Sequence, residues 1–398
     1  MRSAAAGDSA LAFEGVRADW DRGEYGDRAL ALVSMNRFRA IYTRDPLVPV
    51  ASAYLALEAL EHDDVAKAQP FLLALAKEPL GSTQHLRVAA EARIARLEHR
   101  DRDAFALTSP VVRSVVEPVA RNVMLEEHAR ASLATRPMRD ALDAVDMWLN
   151  EGLIADRRRA EALVDALLAD LHGDALARAY ASMSSKERHA RYSSRLLGIV
   201  KDRLEGNELL MEMEQSVRSQ ARVRGSVLGV LVQTSTDQER VHAADFLRGL
   251  SWGSEHAAAG VAGDMTLYVR ELSEQRSAVC AARAELEGAG VSLVALGPDG
   301  NLASAWRTCP GRDLPVLLAT DSLRFEPSHN PEIQAYTSYF AIPVTPLAAR
   351  GHDIAVLSAS ALSSLPWLDT TDTTRIAEHD KAVRLGLATS RPNLWALP

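Results

Sequence analysis

The chain has 398 residues, 47% of them hydrophobic, 25% charged and only 5% aromatic, with a formal net charge of −8. That length is more than one small core needs, so two domains are expected. The acidic balance, with arginines scattered among acids, speaks against nucleic-acid binding, which draws on clustered Lys and Arg; the one dense run, Arg157-Arg158-Arg159, lies between Asp156 and Glu161 and reads as a solvated helix start.

No apolar run of about 18 residues occurs, so no transmembrane helix is expected. The first thirty residues lack the apolar core of a signal peptide, which leaves a cytosolic protein or a mature or truncated form as alternatives. Two cysteines, Cys280 and Cys309, are too few for a disulfide scaffold and form no C-x-x-C pair. A buried free thiol is the plain reading of Cys280, and a bond between the two stays open.

From residue 10 to about 206, apolar residues recur at helical spacing. Leu163, Leu167 and Leu171 form one stripe, widened by Leu168; Leu142, Val145 and Leu149 form another. Such helices must bury their stripes on neighbours. "RGEYGDRALALVSMNRFRAIYTRDP" and "EHDDVAKAQPFLLALAKEP" each run turn, helix, proline, and their final prolines, Pro46 and Pro79, stand 33 residues apart, close to the ~34-residue tetratricopeptide period. Gly23, Tyr25, Ala29 and Pro46 resemble that repeat's small and aromatic positions, over about 20–79. Stacked hairpins of this kind make a curved surface suited to a protein partner, with a plain helical bundle as the alternative.

A polar stretch over 207–224 reads as a linker helix. Five strand-length apolar runs follow: "SVLGVLV", "MTLYVREL", "VSLVALG", "LPVLLAT" and "HDIAVLS". Helical stretches at 238–250, 275–289, 303–308 and 331–340 separate most of them, so βαβ units and a parallel sheet buried on both faces are expected for 225–398. The predicted fold is thus a helical-repeat domain followed by a parallel-sheet α/β domain. In such a sheet the ligand crevice lies at the strand C-terminal ends. The candidate ligand-binding residues there are Thr234 and Ser235 after strand one, Asp299, Gly300 and Asn301 after strand three, and Thr320, Asp321 and Ser322 after strand four. Gln233, Thr236, Gly297, Pro298, Ser358 and Ser360 complete these lips. Helix capping is the competing role for all of them.

"GVLVQTSTDQERVHAADFLRGL", "MTLYVRELSEQRSAVCAARAELEGAGVSLVALGPDGN", "LPVLLATDS" and "NPEIQAYTSYF" resemble, in order and spacing, the type 1 periplasmic-binding fold, the last as the helix crossing to a second lobe. A helical domain ahead of that fold resembles the penicillin-binding-protein activators, outer-membrane lipoproteins that contact peptidoglycan synthases. The resemblance implies a protein partner rather than a transported nutrient, and a periplasmic lipoprotein. The chain departs from it twice. The first cysteine is Cys280, so no lipobox cysteine stands near the start, and only about forty residues follow "HDIAVLS", which leaves the second lobe missing or vestigial. A one-walled cleft encloses a small molecule poorly. Trp367 and Trp395 are expected to patch a sheet edge, or to anchor a partner.

No G-x-S-x-G elbow, Walker loop or G-x-G-x-x-G turn appears. His379-Asp380 reads as helix surface, His352-Asp353 as the start of a strand, and Glu126-Glu127-His128 as a helix without the His pair of a zinc hydrolase. No cofactor, metal site or catalytic residue is expected. The expected function is a non-catalytic envelope protein that binds and modulates a partner enzyme, with a solute-binding or sensor protein for a small polar ligand at the strand ends as the alternative.

Overall fold

A computed structural model describes residues 2–23, 28–75, 81–152, 157–169, 211, 227–258, 265–272, 277–319, 331–363, 365, 372–389 and 394–395. Pro79, Tyr25, Trp367 and, but for Met211, the linker 207–224 lie outside the described residues.

Helices fill the first part: α1 (Arg2–Arg22), α2 (Ala29–Ile41), α3 (Val48–Glu61), α4 (Val65–Leu73), α5 (Ser82–Leu97), α6 (Asp101–Thr108), α7 (Pro118–Thr135), α8 (Met138–Glu151) and α9 (Arg157–Ala169). Pro49 and Pro118 open α3 and α7, where a missing N–H costs nothing. The α3–α4 and α5–α6 hairpins share one turn. Asp63 and His99 both take positive φ (57° and 59°), and the next amide reaches back to Ala59 O (3.0 Å) or Ala95 O (2.7 Å), closing the helix end as an αL cap does. The residues that make these turns are Glu61-His62-Asp63-Asp64 and Leu97-Glu98-His99-Arg100. Apolar all round, α3 is buried along Val50–Leu60, so it is the centre of this layer rather than a surface helix.

The second part holds β1 (Val227–Gln233), α10 (Asp237–Ala258), β2 (Thr266–Leu272), α11 (Ser277–Gly288), β3 (Leu293–Leu296), α12 (Gly300–Thr308), β4 (Val316–Leu318), α13 (Pro331–Phe340), α14 (Pro346–Ser363) and α15 (Thr373–Thr389). The strands make one parallel sheet in the order β2-β1-β3-β4. Leu228, Val230, Val232, Val269, Leu293 and Ala295 pack with α10, α14 and α15 on one face. Leu231, Tyr268, Leu272, Val294 and Leu296 pack with α11 and α12 on the other. Burial on both faces is why these runs are continuously apolar. The fold is therefore mostly helical with a small parallel sheet, helical layer first and α/β unit second, as expected.

One strand expectation fails. "HDIAVLS" lies inside α14, where Ser358 Oγ donates to Ile354 O of the preceding turn (2.6 Å). A short apolar run does not by itself distinguish a buried strand from a buried helix. The flanks decide: Thr345 Oγ1 accepts from Ala348 N (3.1 Å), and Pro346 sits at the first helical position. His352-Asp353 accordingly belongs to a helix, and Ser358 and Ser360 form no strand-end lip.

Helix α14 packs on α10 through glycine. A Cβ on Gly249 would stand 1.8 Å from Ala348 O, one on Gly253 2.7 Å from His352 O, and one on Gly351 2.1 Å from Phe246 O. The two backbones touch only because these side chains are absent.

The helical core continues into the second part. Trp252, Ile333, Tyr336, Phe340, Ile342, Val344, Ala348 and Ala349 belong to the same buried cluster as Phe13, Trp20, Tyr54 and Leu57. The helix expected to cross toward a second lobe, α13, instead completes the core of the helical layer.

Candidate functional site

In a 2-1-3-4 parallel sheet the chain reverses its direction of winding between β1 and β3, and ligands of such sheets bind at that switch point. The ends of β1 and β3 lie side by side there, since Gly297 N donates to Leu231 O (2.8 Å). Thr234 and Ser235 thus follow β1, and Asp299, Gly300 and Asn301 follow β3, at the same end of the sheet. Thr320, Asp321 and Ser322 lie outside the described residues.

The lip residues have internal partners. Thr236 and Glu239 form a reciprocal cap on α10: Glu239 N donates to Thr236 Oγ1 (3.2 Å), and Thr236 N donates to Glu239 Oε2 (2.8 Å). Ser235 Oγ donates to the same carboxylate (2.7 Å). Thr234 N donates to Leu272 O at the end of β2 (2.8 Å). Asp299 caps α12, its Oδ1 accepting from Asn301 N (2.9 Å). Of the described lip residues, Ser235, Thr236 and Asp299 bond within the starts of α10 and α12, and Thr234 bonds to the end of β2.

The helical layer also reaches this end of the sheet. Arg240, one turn into α10, donates through Nη1 to Thr234 O (3.3 Å) and through Nε to Arg22 O at the end of α1 (2.7 Å). Nothing in the Arg240 sequence context marks it apart from other helix-surface arginines. At the β2 edge, Arg270 Nη2 donates to Asn150 Oδ1 of α8 (3.1 Å), and its Nε pairs with Glu285 (2.9 Å). Covering an edge strand with a helix blocks further strand pairing.

Between the layers lies a buried charge centre. Arg17 Nη2 donates to Glu117 Oε1 (2.9 Å), which also accepts from Tyr54 OH (2.8 Å). Glu117 Oε2 caps α7 at Ala120 N (2.7 Å), and Arg17 Nη1 reaches Phe340 O (3.1 Å). Burial drives the Tyr54 hydroxyl well above its ordinary pKa, so it stays a donor. Nearby, Arg248 makes a two-pronged pair with Asp21 (2.6 and 2.7 Å).

No family model matches the chain, and no curated protein does. Among solved structures, several of LpoA from Haemophilus influenzae are similar to it. A monoclinic form with two molecules per asymmetric unit shares 14% identity over 80% of this chain and 66% of that one, with a TM-score of 0.31. Full-length LpoA in another monoclinic form shares 13% over 79% and 64%, at 0.29. The 1.97 Å structure of full-length LpoA shares 14% over 81% and 66%, at 0.23. The chain spans just under two thirds of the length of these proteins. LpoA is a penicillin-binding protein activator.

Three expectations about side chains change. Cys280 is not a free thiol: it is bonded to Cys309, with Cα atoms 5.2 Å apart, tying α11 to the end of α12. His379-Asp380 is buried rather than on the helix surface. His379 Nε2 lies 3.1 Å from Ser292 Oγ, and Asp380 pairs with Arg312 (3.2 Å); burial raises the Asp380 carboxyl to about 6 despite that arginine. Trp395 lies away from the sheet edges. Its ring stacks on His352 (3.8 Å, 10°), and its backbone N donates to Asp353 Oδ1 (2.7 Å).

His352 is itself held at both nitrogens, Nδ1 on Asp353 Oδ1 (2.9 Å) and Nε2 on Glu332 Oε1 (3.1 Å). Burial pulls its pKa down, but the hydrogen bonds to Asp353 and Glu332 together outweigh that and raise it. Held between two acceptors, the ring is best satisfied as imidazolium, which makes it a structural pin. On α7, Glu127 is ion-paired with Arg93 (2.6 Å) and Arg96. His128 contacts Thr108 Oγ1 (2.9 Å), and burial lowers its pKa to about 4. Among the described residues no group of three His, Cys, Asp or Glu could hold a metal ion, and no helix is long and apolar enough to cross a membrane.

Proposed function

We propose that this chain is a non-catalytic envelope protein that binds and modulates a partner enzyme, a peptidoglycan synthase. The observation that carries the reading is the use made of the switch point. Of its polar residues, Ser235, Thr236 and Asp299 are engaged at the starts of α10 and α12, so they favour a scaffold that presents surfaces over a receptor built around a small ligand. The charge centre formed by Arg17, Glu117 and Tyr54 supports it too, because it joins the helical layer to α13. The Cys280–Cys309 bond supports an envelope location, since disulfides persist in oxidising compartments.

The test is reconstitution with a purified bifunctional synthase. Binding by calorimetry together with a changed rate of glycan polymerisation or peptide cross-linking is expected. A synthase that neither binds nor changes rate overturns the proposal, as does turnover of the synthase's substrate by this chain alone.

A further inference from the structure

On helix α2 the inward residues Ala31, Met35 and Phe38 are buried, while the opposite side is apolar and open. Leu30 is 63% exposed, Val33 65% and Ile41 59%, and Arg37, Ala40 and Arg44 are exposed as well. Leu30, Val33, Arg37 and Ala40 follow each other along α2 at steps of three and four, the spacing of a seam that receives a second helix. Arg44 lies just past the end of α2.

The charge on this side has one sign. Residues 28–44 contain four arginines and no acid, in a chain whose net charge is −8. The two inward arginines are occupied: Arg28 lies over the Trp20 ring (4.1 Å) and Arg39 over Phe71 (4.8 Å). The two outward ones, Arg37 and Arg44, pair with no carboxylate among the described residues. Asp45, the next acid, is turned to its own loop, accepting from Leu47 N (2.9 Å).

We propose that the outer side of α2 is a docking seam for an amphipathic helix of a partner protein that carries carboxylates opposite Arg37 and Arg44. This deepens the partner-binding function proposed above and rests on it. A bilayer fits the seam less well. The apolar row is one residue wide and broken by Arg37, which lipid would have to accommodate as an unpaired charge, whereas a helix can meet it with Glu or Asp. A second copy of this chain docked two-fold on the same seam would bring Arg37 against Arg37.

The probes are two four-heptad peptides with leucine at a and d, one with glutamate and one with lysine at e and g. Binding to the whole chain is read by fluorescence anisotropy. The glutamate peptide is expected to bind and the lysine peptide not to; Val33→Asp and Arg37→Glu each weaken the glutamate peptide at least roughly tenfold, and Arg37→Glu gains the lysine peptide. Both positions are solvent-facing, so unchanged thermal melting of the variants confirms folding. Equal binding of the two peptides, or no effect of the variants, overturns the seam. So does binding to phosphatidylglycerol vesicles lost in Arg37→Glu with no peptide bound, or self-association lost in Val33→Asp. With the purified synthase, equal affinity for wild type and Val33→Asp overturns the seam and leaves the proposed function standing. A synthase that fails to bind while the glutamate peptide binds at α2 overturns the synthase reading and supports the seam.

Discussion

The two junctions that hold this molecule together use opposite chemistry. Where the helical layer meets α13, the apolar core contact is joined by buried charge: Arg17, which reaches Phe340 O, with Glu117 and Tyr54, and Arg248 and Asp21 beside them. Where α10 meets α14 inside the α/β unit, it is built from the absence of side chains, Gly249 and Gly253 against Ala348 O and His352 O. The first is directional, because each oxygen has a named donor, and it sets the orientation of α1, α3 and α7 around the end of α13. The second is a fit of surfaces that tolerates almost no added volume. A charged junction fails when one partner is removed and the other is left buried; a glycine junction fails when anything is added.

Glu117→Ala probes the first junction most severely. It strips Arg17 of its counter-charge, Tyr54 of its acceptor and α7 of its cap, and a loss of about 3–5 kcal/mol in urea unfolding is expected. Replacing Glu117 and Arg17 together by Leu and Met should cost clearly less than the single change. A double variant as damaged as Glu117→Ala would show that shape, not charge, governs this contact.

Breaking the Cys280–Cys309 bond with Cys280→Ser frees a loop of sequence separation 29 and should lower stability by about 3–4 kcal/mol. Thiol labelling of the unreduced wild type in denaturant should find no free cysteine. Gly249→Ala tests the glycine junction and should cost about 1–3 kcal/mol, while Gly288→Ala, with nothing within 4 Å of its added Cβ, should not show a packing cost.

The His352 pin gives a pH signature. Its folded pKa is raised above the ordinary 6.5, so its contribution is fully present below pH 6.5 and is lost as pH rises through the folded value. Stability should therefore fall from neutral toward alkaline pH by a margin that disappears in His352→Gln. A parallel decline in both proteins would assign the pH dependence elsewhere. The smallest expected effect is at the strand ends. Asp299→Ala removes the α12 cap and should cost about 1 kcal/mol, with synthase binding unchanged.

Much of the α/β unit was legible because its periodicity is local. Four apolar runs became β1 to β4, and the helix expected over 331–340 has those ends as α13. The loops that end β1 and β3 fall where the apolar runs stop, and of their polar residues Ser235, Thr236 and Asp299 take the competing role, bonding within the start of α10 or α12. The "HDIAVLS" run misled because a helix buried on most sides is as apolar as a strand buried on both, although Thr345-Pro346 ahead of it is a helix-start signal. His379-Asp380 was misplaced because a charged pair on an amphipathic helix looks solvated until a second element covers it. Here Arg312 and Ser292, distant in the chain, do so.

By itself the sequence determined the helical character of the first part, four of the strands with the helices between them, and the parallel direction of the sheet, since these follow from side-chain spacing within a few turns of backbone. The tertiary structure alone decided that α13 and Trp252 complete the helical core, that Cys280 meets Cys309 and that Arg17 finds Glu117 across 100 residues and Phe340 across 323. Such partners are chosen by which surfaces exclude water together, and no local pattern encodes the distance along the chain at which the matching surface will arrive.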